Sequence, residues 1–436
     1  MHRKKWRSMA SARKVAWTRR LGQRLAGCGL AQLALVLVAA CGFPRPEAIR
    51  DDSGPVGCTR DQDCGGATPY CLGTACVACS SNASCPAVRP VCETTSYDCR
   101  SCVKDGECDS GACDLAAGTC VEQGAILYVS PQGEAAAPCT QSAPCSLQQA
   151  IELTNEKRYY IVMSSGRYSS EAGMTYRNLK TVFFIGNQSF LSIPGSGTII
   201  SFAGCSSITF RNVNIEEHDG SSDFFDAVVA SSCDVTIDGM HAITERFHPI
   251  SVFESKLTIR HSEFRGPPVR AARLAADDCI FYDNGPTITT AGELTNSIII
   301  AAPGQQAIWL PRPPDGTQFS TKIAHNTFIG GVAGCEESAF EHHFDSNIFY
   351  NQTQITTGSF CTYDYNLIIG NSVISGGTNI MGDPKFKDVA NNDFHLTPGS
   401  PAIDAANPAN LVTRDFGGMM RPQGARSDIG AFEYVP

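Results

Sequence analysis

Between Glu216 and Asp277 the chain gathers side chains able to do chemistry. Glu216, Glu217, His218, Asp219, Asp223 and Asp226 come first, then Glu245, Arg246 and His248, then Arg265, Arg270 and Arg273, then Asp277. Carboxylates and an imidazole can take or give a proton, and a guanidinium can grip a carboxylate through two parallel hydrogen bonds. These residues fall in polar loops between short β-rich runs. Glu245, His248, Arg265 and Arg270 are the candidate ligand groove. The competing reading is a set of solvated loops, because loops on any such scaffold are polar. Asp277 and Asp278 are adjacent, but neighbours on a strand point to opposite faces. Their types and spacing single out no catalytic residue.

The other reactive side chains are the cysteines, 21 in 436 residues. Twelve lie between Cys58 and Cys120, in a four-cysteine pattern used three times: Cys58, Cys64, Cys71 and Cys76, then Cys79, Cys85, Cys92 and Cys99, then Cys102, Cys108, Cys113 and Cys120. Each unit has too few large apolar residues for a core, and segments below about 40 residues need disulfides or metals instead. Cys76 and Cys79, and Cys99 and Cys102, have the spacing of a zinc pair, but they straddle the joints between units and no His lies nearby. Disulfides are expected, with three possible connectivities per unit. Oxygens precede the second cysteine of each unit (Asp61 and Asp63, Asn82 and Ser84, Asp105 and Glu107), so calcium is the one ion considered beside a plain polar turn. No other cofactor or metal is expected.

The first 24 residues carry nine Lys and Arg and no acid, and Leu25–Ala40 carries no charge. Sixteen apolar residues fall short of the roughly 20 that span a bilayer. A basic start, a short apolar run and small residues at its end mark a secretory signal. Val38-Ala39-Ala40-Cys41 resembles the lipobox of bacterial lipoproteins. That resemblance implies cleavage before Cys41, lipid attachment to Cys41 and a membrane partner through the anchor. Gly42, where Asp would retain such a protein at the inner membrane, favours the outer membrane or cell surface. Removing 1–40 leaves 25 basic residues against 43 acidic, a net of −18. A surface of that sign offers no track for a phosphate backbone, so nucleic acid is not an expected partner.

From Ala125 the composition turns to β. Cys139 and Cys145 can staple a loop, and Ser146 can cap a helix whose apolar face is Leu147, Ala150, Ile151 and Leu153. Short strands then recur on one frame: Phe210–Ile215, Ile237–Ala242, Ile259–Phe264, Leu294–Ile299, Ile323–Phe328, Phe344–Phe349 and Tyr363–Ile368. Steps of mostly 19 to 29 residues mean a solenoid, and strands make it a β-solenoid. The fourth position of the last three repeats is Asn326, Asn347 and Asn366, which would stack about 4.8 Å apart as an Asn ladder. The region resembles the right-handed parallel β-helix of the pectin-lyase-like superfamily, which implies that the early helix caps the coil stack and that the ladder is structural. Cys205 with Cys233, and Cys335 with Cys361, sit about one coil apart and are disulfide candidates, which leaves Cys279 as a buried thiol.

The tail is the most specific resemblance. Asp383-Pro384, Asp393–Leu396, Ser400–Asp404 and Asp428–Phe432 resemble the C-terminal signature of choice-of-anchor Q proteins, exported bacterial β-helix proteins. The Gly-His-Gly segment of β-helix polysaccharide hydrolases is missing. The expected organisation is a leader at 1–40, a linker at 41–57, a Cys-rich triple repeat at 58–122 acting as a stalk, a β-helix at 125–381 and a C-terminal capping segment at 382–436. Phe386, Phe394, Leu396, Ile403, Ile429 and Phe432 are expected to pack over the open edge of the last coil. The first function considered is binding of surface or extracellular polysaccharide without catalysis, with polysaccharide lyase and structural envelope protein as alternatives.

Overall fold

The computed structural model describes residues 57–169, 173–194, 198–218, 226–311, 320–335, 341–351, 353–356, 361–369, 378–409 and 412–436. The leader, its lipobox cysteine Cys41, and Asp219 and Asp223 of the polar loops lie outside these residues, as does the side chain of His218.

Each Cys-rich unit is one short 3-10 turn followed by a two-stranded hairpin. The disulfides join first to third and second to fourth cysteine in all three units: Cys58–Cys71 and Cys64–Cys76, Cys79–Cys92 and Cys85–Cys99, Cys102–Cys113 and Cys108–Cys120. The oxygens before the second cysteine serve the backbone. Asp61, Asn82 and Asp105 accept from the N–H of the third cysteine at 2.7 to 2.9 Å. Asp63, Ser84 and Glu107 each accept from the N–H four residues back. These side chains replace the secondary structure that so small a unit cannot supply.

The rest is a parallel β-helix. Twenty-six strands join in one parallel system, and the register sorts them into three sheets. In the first, Leu127, Ile161, Phe184, Phe210, Ile237 and Ile259 stack one above another, and Ala276, Leu294, Ile323, Phe344 and Tyr363 continue the column. In the second, Ile215, Ala242, Phe264, Phe281, Ile299, Phe328, Phe349 and Ile368 do the same. In the third, Ile200, Val228 and Ile250 are in register. These inward columns are the core. One coil escapes the sequence frame. Ala276–Phe281 forms a full coil between Ile259–Phe264 and Leu294–Ile299, and its inward residue is the small Ala276 in place of a large apolar one. The helix Leu147–Glu152 is capped by Ser146 Oγ and buries Leu147, Ala150 and Ile151, while Leu153 is exposed. Cys139–Cys145 and Cys205–Cys233 are disulfides, and Cys361 is disulfide-bonded as well.

Two attachments differ from the expected layout. The third Cys-rich unit packs on the outside of the first sheet, where Ala112 joins Ile126, Tyr128, Tyr160 and Ile185, so this unit is docked on the β-helix. The tail covers the outer face of the second sheet. Leu396, Ala402 and Ile429 pack on Ile348 and Leu367, and Phe394 and Phe432 pack on Ile298 and Ile329. Those strands are apolar on both faces and need a cover, which the sequence shows as unbroken runs such as Ile298-Ile299-Ile300.

Arg421 and Glu433 fasten the tail. They pair at 2.8 Å with both side chains fully buried, and Arg421 also donates to the carbonyls of Asp428 and Gly430. Glu433→Gln leaves the guanidinium uncompensated, a change that costs about 3–5 kcal/mol in buried pairs. Urea unfolding of Glu433→Gln is expected to show a loss on that order, and residues 382–436 are expected to become sensitive to limited proteolysis first.

Candidate functional site

The four groove residues lie on two successive coils, around the turn from the second sheet to the third. The turn at Glu245 is held by the coil before it. The Glu217 carboxylate accepts from the N–H of Glu245 at 2.6 Å and of Arg246 at 3.0 Å. Glu245 and Arg265 share a surface depression of about 500 Å³ with Pro267, Asp283, Asn284 and Gln305. The Arg265 guanidinium lies over the Tyr282 ring, 4.0 Å from its centre, which holds a flexible side chain flat.

His248 and Arg270 do not line this depression. His248 is 9% exposed and its Nδ1 lies 2.8 Å from the Pro268 carbonyl. A carbonyl only accepts, so Nδ1 carries a hydrogen. Burial holds its pKa below the usual histidine value, and Arg270 adds to this. Arg270 is exposed and precedes the inward Ala271, so it points away from the third sheet. Two other acids of the sequence cluster are in structural use. Glu216 pairs with Arg167, and Asp277 accepts from Thr295 Oγ1 at 2.7 Å and from Asn296 at 3.1 Å.

A second grouping was not legible as a motif. His261 and Asp278 occupy the same left-handed turn position in successive coils. His261 Nδ1 is 2.7 Å from Asp238, and its Nε2 is 3.6 Å from Asp278. They line a cavity of about 220 Å³ with His241, Glu263 and Phe416. Burial pushes the Asp278 carboxyl up to about 7, against the pull of His261. A larger cavity, about 560 Å³, lies between the third Cys-rich unit and the first coils.

The ladder is longer than its asparagines. Asn326, Asn347 and Asn366 each take the N–H of the rung before them and donate to a carbonyl below, at 2.8 to 2.9 Å. Asn379 extends the run forward and Ser297 and Ser262 extend it back. Cys279 is a rung too: its thiol donates to the Asp277 carbonyl at 3.2 Å, and burial pushes its pKa up.

Among the described residues, the metal-sized groups of His, Cys, Asp or Glu are three cysteine clusters, one per unit. Their sulfurs are already joined in disulfides, and a disulfide sulfur is not the thiolate that zinc needs.

His342 sits inside the core, 4% exposed, between Thr321 and Cys361 in the first-sheet column. Neither ring nitrogen has a partner among the described residues, and burial pulls its pKa down to about 4. From pH 6.5 down to 4 the unfolded chain takes up a proton that the folded chain refuses, so stability falls as pH falls through that window. His342→Leu removes that contribution. Urea midpoints at pH 7 and pH 4.5 are expected to lie closer together in the variant than in the natural chain.

No family model matches the chain, and no curated protein is significantly similar to it. Among solved structures, the crystal structure of pectate lyase Pel9A is similar over 71% of this chain and 96% of that one, at 13% identity and a TM-score of 0.40. A likeness this distant carries no chemistry across, so the β-helix rests on the strand register itself.

Proposed function

We propose that this chain is an exported outer-membrane lipoprotein, lipidated at Cys41, whose β-helix binds surface or extracellular polysaccharide without cleaving it. The observation that carries the binding reading is the depression beside Tyr282. It offers a planar guanidinium, two carboxylates and two amides in one shallow, open place. Amides both donate and accept, as sugar hydroxyls do, and the guanidinium fork suits a carboxylate or paired oxygens. His248, the nearest imidazole, is bound to a backbone carbonyl and is poorly placed to abstract a proton. Export is supported by the 17 disulfide-bonded cysteines among the described residues, since disulfides persist in oxidising compartments.

The binding test is retention on immobilised neutral and acidic polysaccharides. Losing one charged hydrogen-bonding group costs about 1.5–3 kcal/mol, so Arg265→Ala is expected to weaken retention about tenfold or more. Glu245→Ala is expected to weaken it less, and His248→Ala and Arg270→Ala least. Appearance of the ultraviolet absorbance of an unsaturated sugar product, abolished by Arg265→Ala, would make the protein a lyase instead. The anchoring test is Cys41→Ser, expected to remove the protein from the membrane fraction or block its processing. Unchanged partitioning and processing would sink the lipoprotein reading.

A further inference from the structure

The third Cys-rich unit is locked to the β-helix by a buried ion pair. Arg211, on the first sheet, lies 3.1 Å from Asp105, with both side chains under a tenth exposed. Arg211 also donates to the Cys113 carbonyl at 3.0 Å, and Tyr128 donates to the Ser110 carbonyl at 3.1 Å. Burial raises the Asp105 pKa, while the Cys113 N–H and Arg211 oppose it. With two disulfides inside the unit and a sheet on the other side, both walls of the joint are stiff. Between them lies the cavity of about 560 Å³, within the range of small-ligand sites, which favour the seams between structural units.

Its lining has a definite chemical character. Lys, Arg and His are absent from it, and Asp105 and Asp109 are present. Asn187 and Gln188 bring two carboxamides to it. Neither makes a side-chain hydrogen bond to the described residues. Tyr128, Val162 and Ile185 give it an apolar wall. A ligand matched to this lining has hydroxyls or amides to pair with the carboxamides, an apolar face, and no negative charge.

We propose that this cleft binds a neutral saccharide of one or two rings. Hydroxyls pair with carboxamides as both donors and acceptors, the ring C–H face lies on the apolar wall, and Asp109, in a lining without a cation, disfavours uronates and phosphates. The site is separate from the depression at Arg265 and deepens the polysaccharide reading by naming a second contact. It depends on that reading only for the expectation that the natural ligand is part of a polymer. Stiff walls reduce the ordering cost of binding.

The test is calorimetric titration of the full chain, in a detergent without a sugar headgroup, with cellobiose and with N,N′-diacetylchitobiose. A uronic acid disaccharide is the charged comparison. Saturable one-site binding is expected for at least one neutral disaccharide and not for the uronic one. Asn187 is exposed, so Asn187→Trp can fill the cleft mouth without entering the core and is expected to abolish binding. Asn187→Ala, which cannot clash, is expected to weaken it about fivefold to tenfold, the worth of about one neutral hydrogen bond. Arg265→Ala is expected to leave it unchanged. The proposal is overturned if no neutral disaccharide binds, if the uronic one binds as well, or if both Asn187 variants bind normally. It is also overturned if Arg265→Ala removes the binding, which would move the neutral sugar to the depression. Loss of polymer retention in Arg265→Ala with intact disaccharide binding separates the two sites.

Discussion

Stacking coils along an axis satisfies every strand, but it leaves the tight turn after the first sheet with a backbone N–H turned into the core. Water cannot reach it, and an unpaired buried N–H costs about 1–3 kcal/mol. The chain meets this need by repetition. The residue after each left-handed turn offers an oxygen or sulfur to the coil before it, from Ser262 through Asn366, and Asn379 continues the run. Asparagine is the best rung because its amide also donates, reaching carbonyls such as those of Leu294 and Ile323. The turn itself needs positive φ, held by Asn212, Gly239, His261, Asp278, Asn296, His325, Ser346 and Tyr365. Only at Gly239 is that conformation free of side-chain strain. Elsewhere the ladder and the sheet contacts on both sides hold it in place.

A solenoid with inner columns this regular still has outer faces to manage. Where the outer face is polar, as at Thr236 and Thr258 in the first sheet, nothing needs to cover it. Where it is apolar, another segment must. The tail and the third Cys-rich unit do this at two different places, and each is fastened by a buried charged pair, Arg421–Glu433 and Arg211–Asp105. Buried pairs are weak sources of net stability. Their use here is positional: a guanidinium with fixed carbonyl partners admits one docking geometry, whereas an apolar patch tolerates several.

The solenoid, its frame and the asparagine rungs were legible because period and residue type coincide. The coil at Ala276 was hidden, since its inward residue is small and its rung, Cys279, looks like a spare thiol. The Ser262 and Ser297 rungs were hidden for the same reason: a serine announces nothing without the register. Connectivity of the disulfides could not follow from spacing, because four cysteines permit three pairings. The candidate groove was half legible. Glu245 and Arg265 line one depression from successive coils, but one residue of phase turns Arg270 away, and a neighbouring carbonyl, invisible in sequence, captures His248.

The same constraint places candidate sites. Within the coil stack, side chains are committed to columns and rungs, so an unsatisfied polar group there is a defect to be tolerated, as at His342. Two sets of polar groups lie where the repeat is interrupted. One interruption is the turn between the second and third sheets, whose length varies from coil to coil. The other is the seam where the repeat begins and a foreign module docks. At the turn, three successive coils bring Glu245, Arg265 and Asp283 together. At the seam, the register shift between Ile185 and Ser189 pushes Asn187 and Gln188 out of the ladder and toward the docked unit. Both places owe their open carboxamides and charges to backbone that has left the regular pattern, which is why a regular frame pointed to them only indirectly.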